Sequence, residues 1–186
     1  MPLPGRLILV FRSPRFRPVR DFVRDERGAT AVEFAILAIP FFGLVCAIMQ
    51  TALVFLASQI LDSAVQDASR LVRTGQAQNA SFDIGMFNTQ ICNGLAGIFD
   101  CTKLETSVTT VSTFAAATVT PPVDPRTGVW TLVPVFQPGT ANNVELVQVY
   151  YKWPVLFTFD GLSLATSSDN THLLSAVRVF ENEPFS

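Results

Sequence analysis

One side chain demands a chemical account before any other. Glu33 heads a stretch, Phe34 to Leu61, of 28 residues without a charge, which is long enough to cross a bilayer. A carboxylate at the rim of such a stretch costs on the order of 1–3 kcal/mol to insert, depending on depth. It either snorkels to the surface or finds a positive companion. Few other residues invite chemistry. His172 is the only histidine, and no Gly-x-Ser-x-Gly elbow or other nucleophile setting accompanies it. Neither a phosphate-binding glycine loop nor a redox Cys-x-x-Cys is present. Asp124 to Gly128 and Asp160-Gly161 read as turns, because the acidic spacing of a calcium loop is missing. Asp83 and Asp100 read as a helix cap and a surface carboxylate. The pattern excludes a recognisable enzyme and calls for no catalytic residue, metal, cofactor or small-molecule substrate.

Charge is distributed unevenly along the chain. Residues 1–28 carry seven arginines against three acids, a balance of four positive charges, whereas residues 62–186 carry six basic and eleven acidic side chains. A cationic flank beside a span stays in the cytoplasm, so the topology expected is N-in and C-out with a single crossing. The arginines are interrupted by Pro14, Pro18 and acids and abut the span, which argues against a nucleic-acid partner. A secretory signal has an apolar core of roughly 7–15 residues after a short basic start. Here both parts are longer, and a retained helix is expected.

Cys46 falls inside the apolar run and behaves there as a small hydrophobe. Cys92 and Cys101 fall outside it. In an oxidising compartment they are expected to pair, which would stabilise the fold by roughly 2.5–3 kcal/mol in the chain-entropy model. Two unrelated buried thiols are the alternative.

These residues need elements to position them. From Ala29 the pattern is helical well past the apolar run. Leu61, Ala64, Val65, Ala68, Leu71 and Val72 recur at three- and four-residue steps, and Thr74-Gly75 is a natural stop. A helix over 29–75 is expected, spanning the membrane at about 34–57 and continuing as an amphipathic extension. Pro40 removes one backbone hydrogen bond and should kink or loosen it, although membrane helices tolerate proline.

Residues 76–186 then form one α+β domain. Asp83 to Phe99 has helical spacing, weakened at its end by Gly94 and Gly97. After Cys101 the composition turns to Val, Thr, Phe and Tyr, which favours strands over 104–119, 129–137, 144–153 and 171–181. Short breaks between them imply an antiparallel meander. Val147, Val149, Tyr151 and Trp153 would line one face of the third strand, and Leu146, Gln148 and Tyr150 the other. Residues 154–165 are unusually apolar for a connection. Leu156, Phe157 and Leu162 either plug the end of the core or form a hydrophobic lip facing a partner subunit or the outer leaflet.

The stretch Gly28-Ala-Thr-Ala-Val-Glu33-Phe34-Ala, preceded by Arg27, resembles the processing site of type IV prepilins. Adding Pro40 and the helix exit Ala68-Ser-Arg-Leu-Val-Arg-Thr-Gly75, the chain resembles the TadE-like family, pseudopilins of the tight-adherence (Tad/Flp) pilus. The ending Arg178-Val-Phe-Glu-Asn-Glu-Pro-Phe185 is similar to that family's Asn-Glu-Pro tail, with Glu181 where a basic residue is expected. The resemblance implies a pilin-like architecture, a long N-terminal helix on a small antiparallel sheet with a second short helix. It implies cleavage between Gly28 and Ala29 by a prepilin peptidase, which releases the basic leader 1–28. It further implies that Glu33 and Phe34 set assembly register, with Glu33 pairing to the new α-amine of a neighbouring subunit. The partners implied are the inner membrane, that peptidase, other pilin subunits and the Tad secretion machinery, with the domain of residues 76–186 in the periplasm. The alternative is a single-pass anchored periplasmic domain that binds another protein and is never processed.

Overall fold

In a computed structural model, residues 28–158 and 163–185 are described. The basic leader up to Arg27, and Asp160, Gly161 and Leu162 among the apolar connection, lie outside them. The chain divides into two units, Met1–Phe42 and Gly43–Ser186, which are taken separately below.

Helix α1 runs over Ala29–Arg73 and contains Pro40 without a break in its assignment. The described part of the first unit is helix almost throughout, and its apolar side chains face outward. Phe34, Ile36, Leu37, Ile39 and Phe41 are all more than half exposed. Nothing inside the protein accounts for so apolar a surface, which marks a face meant for lipid or another apolar partner.

In the second unit α1 becomes part of a core. Val54, Ala57, Leu61, Ala64, Val65, Ala68 and Val72 are buried, following the period anticipated for the amphipathic extension. Three of them are alanines, and short side chains let neighbouring elements approach closely. At Gly94 a Cβ would lie 2.8 Å from that of Ala64, so this glycine permits the contact.

After a single turn, α2 (Gln76–Asn79), helix α3 spans Ile84–Asn93. Asp83 caps it as expected, Oδ1 accepting from the Met86 amide at 2.7 Å, which satisfies one of the orphan donors of the first turn. Phe87 and Ile91 reach the core. The helix is shorter than the range to Phe99 expected from spacing. It ends at Gly94, and Ala96 and Gly97 both take positive φ, so the following Leu95 and Phe99 reach the core from irregular chain.

Four strands follow: β1 Glu105–Val111, β2 Val135–Gln137, β3 Val144–Pro154 and β4 Thr171–Glu181. The sheet order is β2-β1-β3-β4. β3 pairs antiparallel with β1 and β4, but β2 lies parallel to β1, Ser107 opposite Val135. The expected all-antiparallel meander is thus corrected to a mixed sheet. The reason is chain length: about 23 residues separate β1 from β2, enough to return the chain to the start of β1 rather than turn it back alongside. The stretch 129–137 contributes three strand residues to the sheet. The remainder has no regular structure apart from one bridge, Val123 to Trp130.

Val147, Val149, Tyr151 and Trp153 do share the face turned to α1 and α3. The opposite face is covered too, since Leu146, Gln148 and Tyr150 are buried. Lys152 on that face shows what covers it. Its ammonium donates to the Gly128 carbonyl, pairs with Asp169 at 2.8 Å and sits 4.8 Å from the centre of the Trp130 ring. The proline-rich excursion between β1 and β2 therefore acts as a second layer.

Candidate processing and assembly site

Gly28 precedes the first residue of α1, and a Cβ placed on it would meet nothing within 4 Å. Ala29, Glu33 and Phe34 are likewise exposed on the first turns. Residues four apart share a helix face, so a free amine at Ala29 and the Glu33 carboxylate would both project from one side of the helix start. Glu33 is the only acidic or basic side chain between Gly28 and Leu61. It sits in the second turn of α1. Pro40 follows seven residues later. Phe41 and Phe42 beside it stack edge to face, ring centres 5.4 Å apart. Among the described residues the arrangement offers an uncrowded Gly28 and one carboxylate on an apolar exposed surface, which can bind a positive charge.

Cys92 and Cys101 form a disulfide within the second unit, with Cα atoms 5.9 Å apart. It joins the end of α3 to the turn Cys101–Lys103. Asp100 caps that turn, Oδ1 accepting from the Thr102 hydroxyl at 2.7 Å, and pairs with Lys103 at 3.0 Å. Donation from Thr102 and Lys103 holds its pKa down at about 2. Cys46 is a free thiol on α1. The Nδ1 of His172 donates to the Leu164 carbonyl at 2.7 Å, which ties down the connection before β4. Among the described residues no group of three His, Cys, Asp or Glu side chains could hold a metal.

The helix exit and the C-terminal tail, separate in sequence, meet in the fold. Gly75 takes φ 76° and terminates α1, its amide bonding the Val72 carbonyl at 3.1 Å. The Phe185 ring occupies the space where a Cβ on Gly75 would fall. The Glu183 amide donates to the Arg73 carbonyl at 2.9 Å, and its carboxylate pairs with the Arg73 guanidinium at 3.2 Å. Asn182 is buried and donates to the Thr140 carbonyl at 3.0 Å and to Glu145 Oε1 at 3.3 Å. The tail residues thus cap one of the last carbonyls of α1 and lock that helix to the turn before β3. Glu181, the departure noted in the sequence, closes β4 opposite Val144.

Two residues in this unit were missed by reading the sequence. Glu145 is fully buried with no cation beside it. Oε1 accepts from the Gly139 amide at 2.7 Å and the Thr110 hydroxyl at 3.1 Å, while Oε2 has no partner. Burial raises its pKa against the lowering effect of those donors. The alternation of β3 gave no hint of it, because both faces of that strand are covered. Gln50 is the second, buried at the apolar part of α1. Its Nε2 donates to the Phe157 carbonyl at 3.1 Å and its Oε1 accepts from the Phe157 amide at 2.7 Å. An amide amid apolar residues asks for a partner, and that signal was available in the sequence.

No curated protein and no solved structure matches the chain. Residues 28–70 do match a family model, described as TadE-like protein, so the resemblance expected from Gly28, Glu33 and Pro40 is found over the segment that holds all three.

Proposed function

We propose that this chain is a structural subunit of a Tad pilus system, a minor pseudopilin cut between Gly28 and Ala29 by a prepilin peptidase. It is anchored by α1, with the α+β domain in the periplasm, and acts in pilus biogenesis and adherence without turnover. The observation that carries the reading is the TadE-like match over 28–70, in which Glu33 is the lone charge before Asp62 and heads the exposed apolar part of the helix. α1 is long and apolar enough to cross a membrane.

Cleavage would create an α-amine at Ala29 with a reference pKa near 8. An isolated ammonium and an isolated carboxylate are each costly in lipid. Glu33 of one subunit meeting the amine of its neighbour lowers both costs and fixes the axial register of the two helices. Before cleavage no free amine exists, so processing gates assembly. The mass of the membrane-extracted protein tests the reading. A mature species beginning at Ala29, abolished by Gly28→Ala, is expected. An intact chain in cells with a working peptidase would leave only the unprocessed, anchored periplasmic domain.

A further inference from the structure

The connection after β3 is held in an unusual way. Gln50 presents both ends of its amide to the backbone of one residue, Phe157, accepting from its N–H at 2.7 Å and donating to its carbonyl at 3.1 Å. Asn170 does the same for Val155, whose amide bonds the Asn170 carbonyl at 3.3 Å and whose carbonyl accepts from Asn170 Nδ2 at 3.1 Å. The N–H and C=O groups of two residues in an irregular segment are thereby satisfied inside the protein, which is what non-helical backbone needs where water is absent. Val155 is buried, but the two residues after it are apolar and turned outward, Leu156 being 69% exposed and Phe157 48%.

The place where this happens decides the partner. Gln50 lies on α1, and the exposed apolar surface of that helix continues beyond it through Leu53 and Leu56. The six residues from Gln50 to Leu56 rise about 9 Å along the helix. Phe157 is therefore tied to a level of α1 that is still flanked by lipid-seeking side chains on the domain side. Pro154 to Thr158 contain no charge. A lip meant for water would not carry Leu and Phe outward at that level.

We infer that Leu156 and Phe157 insert into the lipid of the leaflet on the domain side, so that the domain sits partly sunk in the membrane at a depth fixed by Gln50. This rests on α1 being a membrane span. It does not depend on cleavage after Gly28.

Full-length protein with Cys46→Ala, reconstituted in phosphatidylethanolamine and phosphatidylglycerol vesicles, provides the test. An environment-sensitive fluorophore is placed on Leu156→Cys, on Leu53→Cys as the lipid reference, or on Ser112→Cys as the water reference. Lipids spin-labelled near the head of the acyl chain serve as quencher. The lip site should be quenched about as strongly as the Leu53 site and several-fold more than the Ser112 site, with a blue-shifted emission. Quenching at Leu53 alone would overturn the inference while leaving the anchor intact, and quenching at neither would remove the anchor as well. Disulfide crosslinking between unlabelled Leu156→Cys sites of two copies, at the expense of quenching, would show that a second subunit covers the lip and would equally overturn it. Cleavage at Ala29 is read separately from the mass.

Discussion

Glu145 is the residue whose burial has the clearest thermodynamic consequence. A carboxylate with three donors on one oxygen and none on the other, and no cation near, is stabilised only in part. Its pKa is raised mainly by burial. Because the folded value exceeds the unfolded one, the stability linked to this group is fully present below the ordinary glutamate pKa. It is lost as pH rises through the folded value. Asp100 and Asp169 are lowered by their hydrogen bonds and act in the opposite sense, their contributions lost as pH falls through the folded values. Glu145→Gln keeps an acceptor for Gly139 and Asn182 and removes the charge. The variant's thermal stability relative to the parent should therefore improve as pH rises from the ordinary glutamate range through the raised folded value. Melting of the detergent-solubilised protein across that range checks it. A constant difference would mean that Glu145 does not titrate there.

At the scale of elements, the tail and the exit of α1 make a single joint. Gly75→Ala forces a side chain into a left-handed position and against the Phe185 ring, and should cost about 1–3 kcal/mol. Phe185→Ala in the same chain should recover part of that. The coupling read from a double-mutant cycle measures the contact, and additive effects would mean that Phe185 does not rest there. The disulfide is a second fastening, and replacing both Cys92 and Cys101 by serine should lower stability by roughly 2–3 kcal/mol, read from denaturant midpoints.

How far such joints could be read in the sequence follows from how local their causes are. α1, β3 and β4 were legible because each repeats one period for ten residues or more. The run after Cys101 was over-extended because its Val and Thr continue while the backbone leaves the sheet at Ser112. Val135–Gln137 gave no sign that its partner would be parallel, since its register depends on the path of the excursion before it. The Asn-Glu-Pro ending was noticed, but its docking on Arg73 and Gly75 links positions more than a hundred residues apart, beyond any periodicity. The TadE-like segment was legible because its glycine, glutamate and proline are all close in the chain.

For the whole molecule, the distribution of charge and apolar surface points to one arrangement. An arginine-rich leader, an apolar stretch headed by a single acid, and an acid-rich remainder fit a chain threaded once through a membrane. If the role of Glu33 is to meet a neighbour's amine, removing its charge should separate two events that the native sequence couples. Glu33→Gln keeps size and hydrogen bonding but cannot offset an ammonium in lipid, whose uncompensated burial is strongly unfavourable. The peptide bond after Gly28 is unchanged in this variant and stays open. Mass spectrometry should therefore still find the species starting at Ala29, whereas surface pili counted by electron microscopy should fall several-fold. Normal piliation with normal trimming would take Glu33 out of assembly. Loss of trimming itself would place the glutamate in recognition by the peptidase. The first outcome leaves the acid as a rim carboxylate that snorkels to water, and a second substitution, Glu33→Val, tells the cases apart, since an apolar residue is tolerated at the rim only if no ammonium is waiting for it.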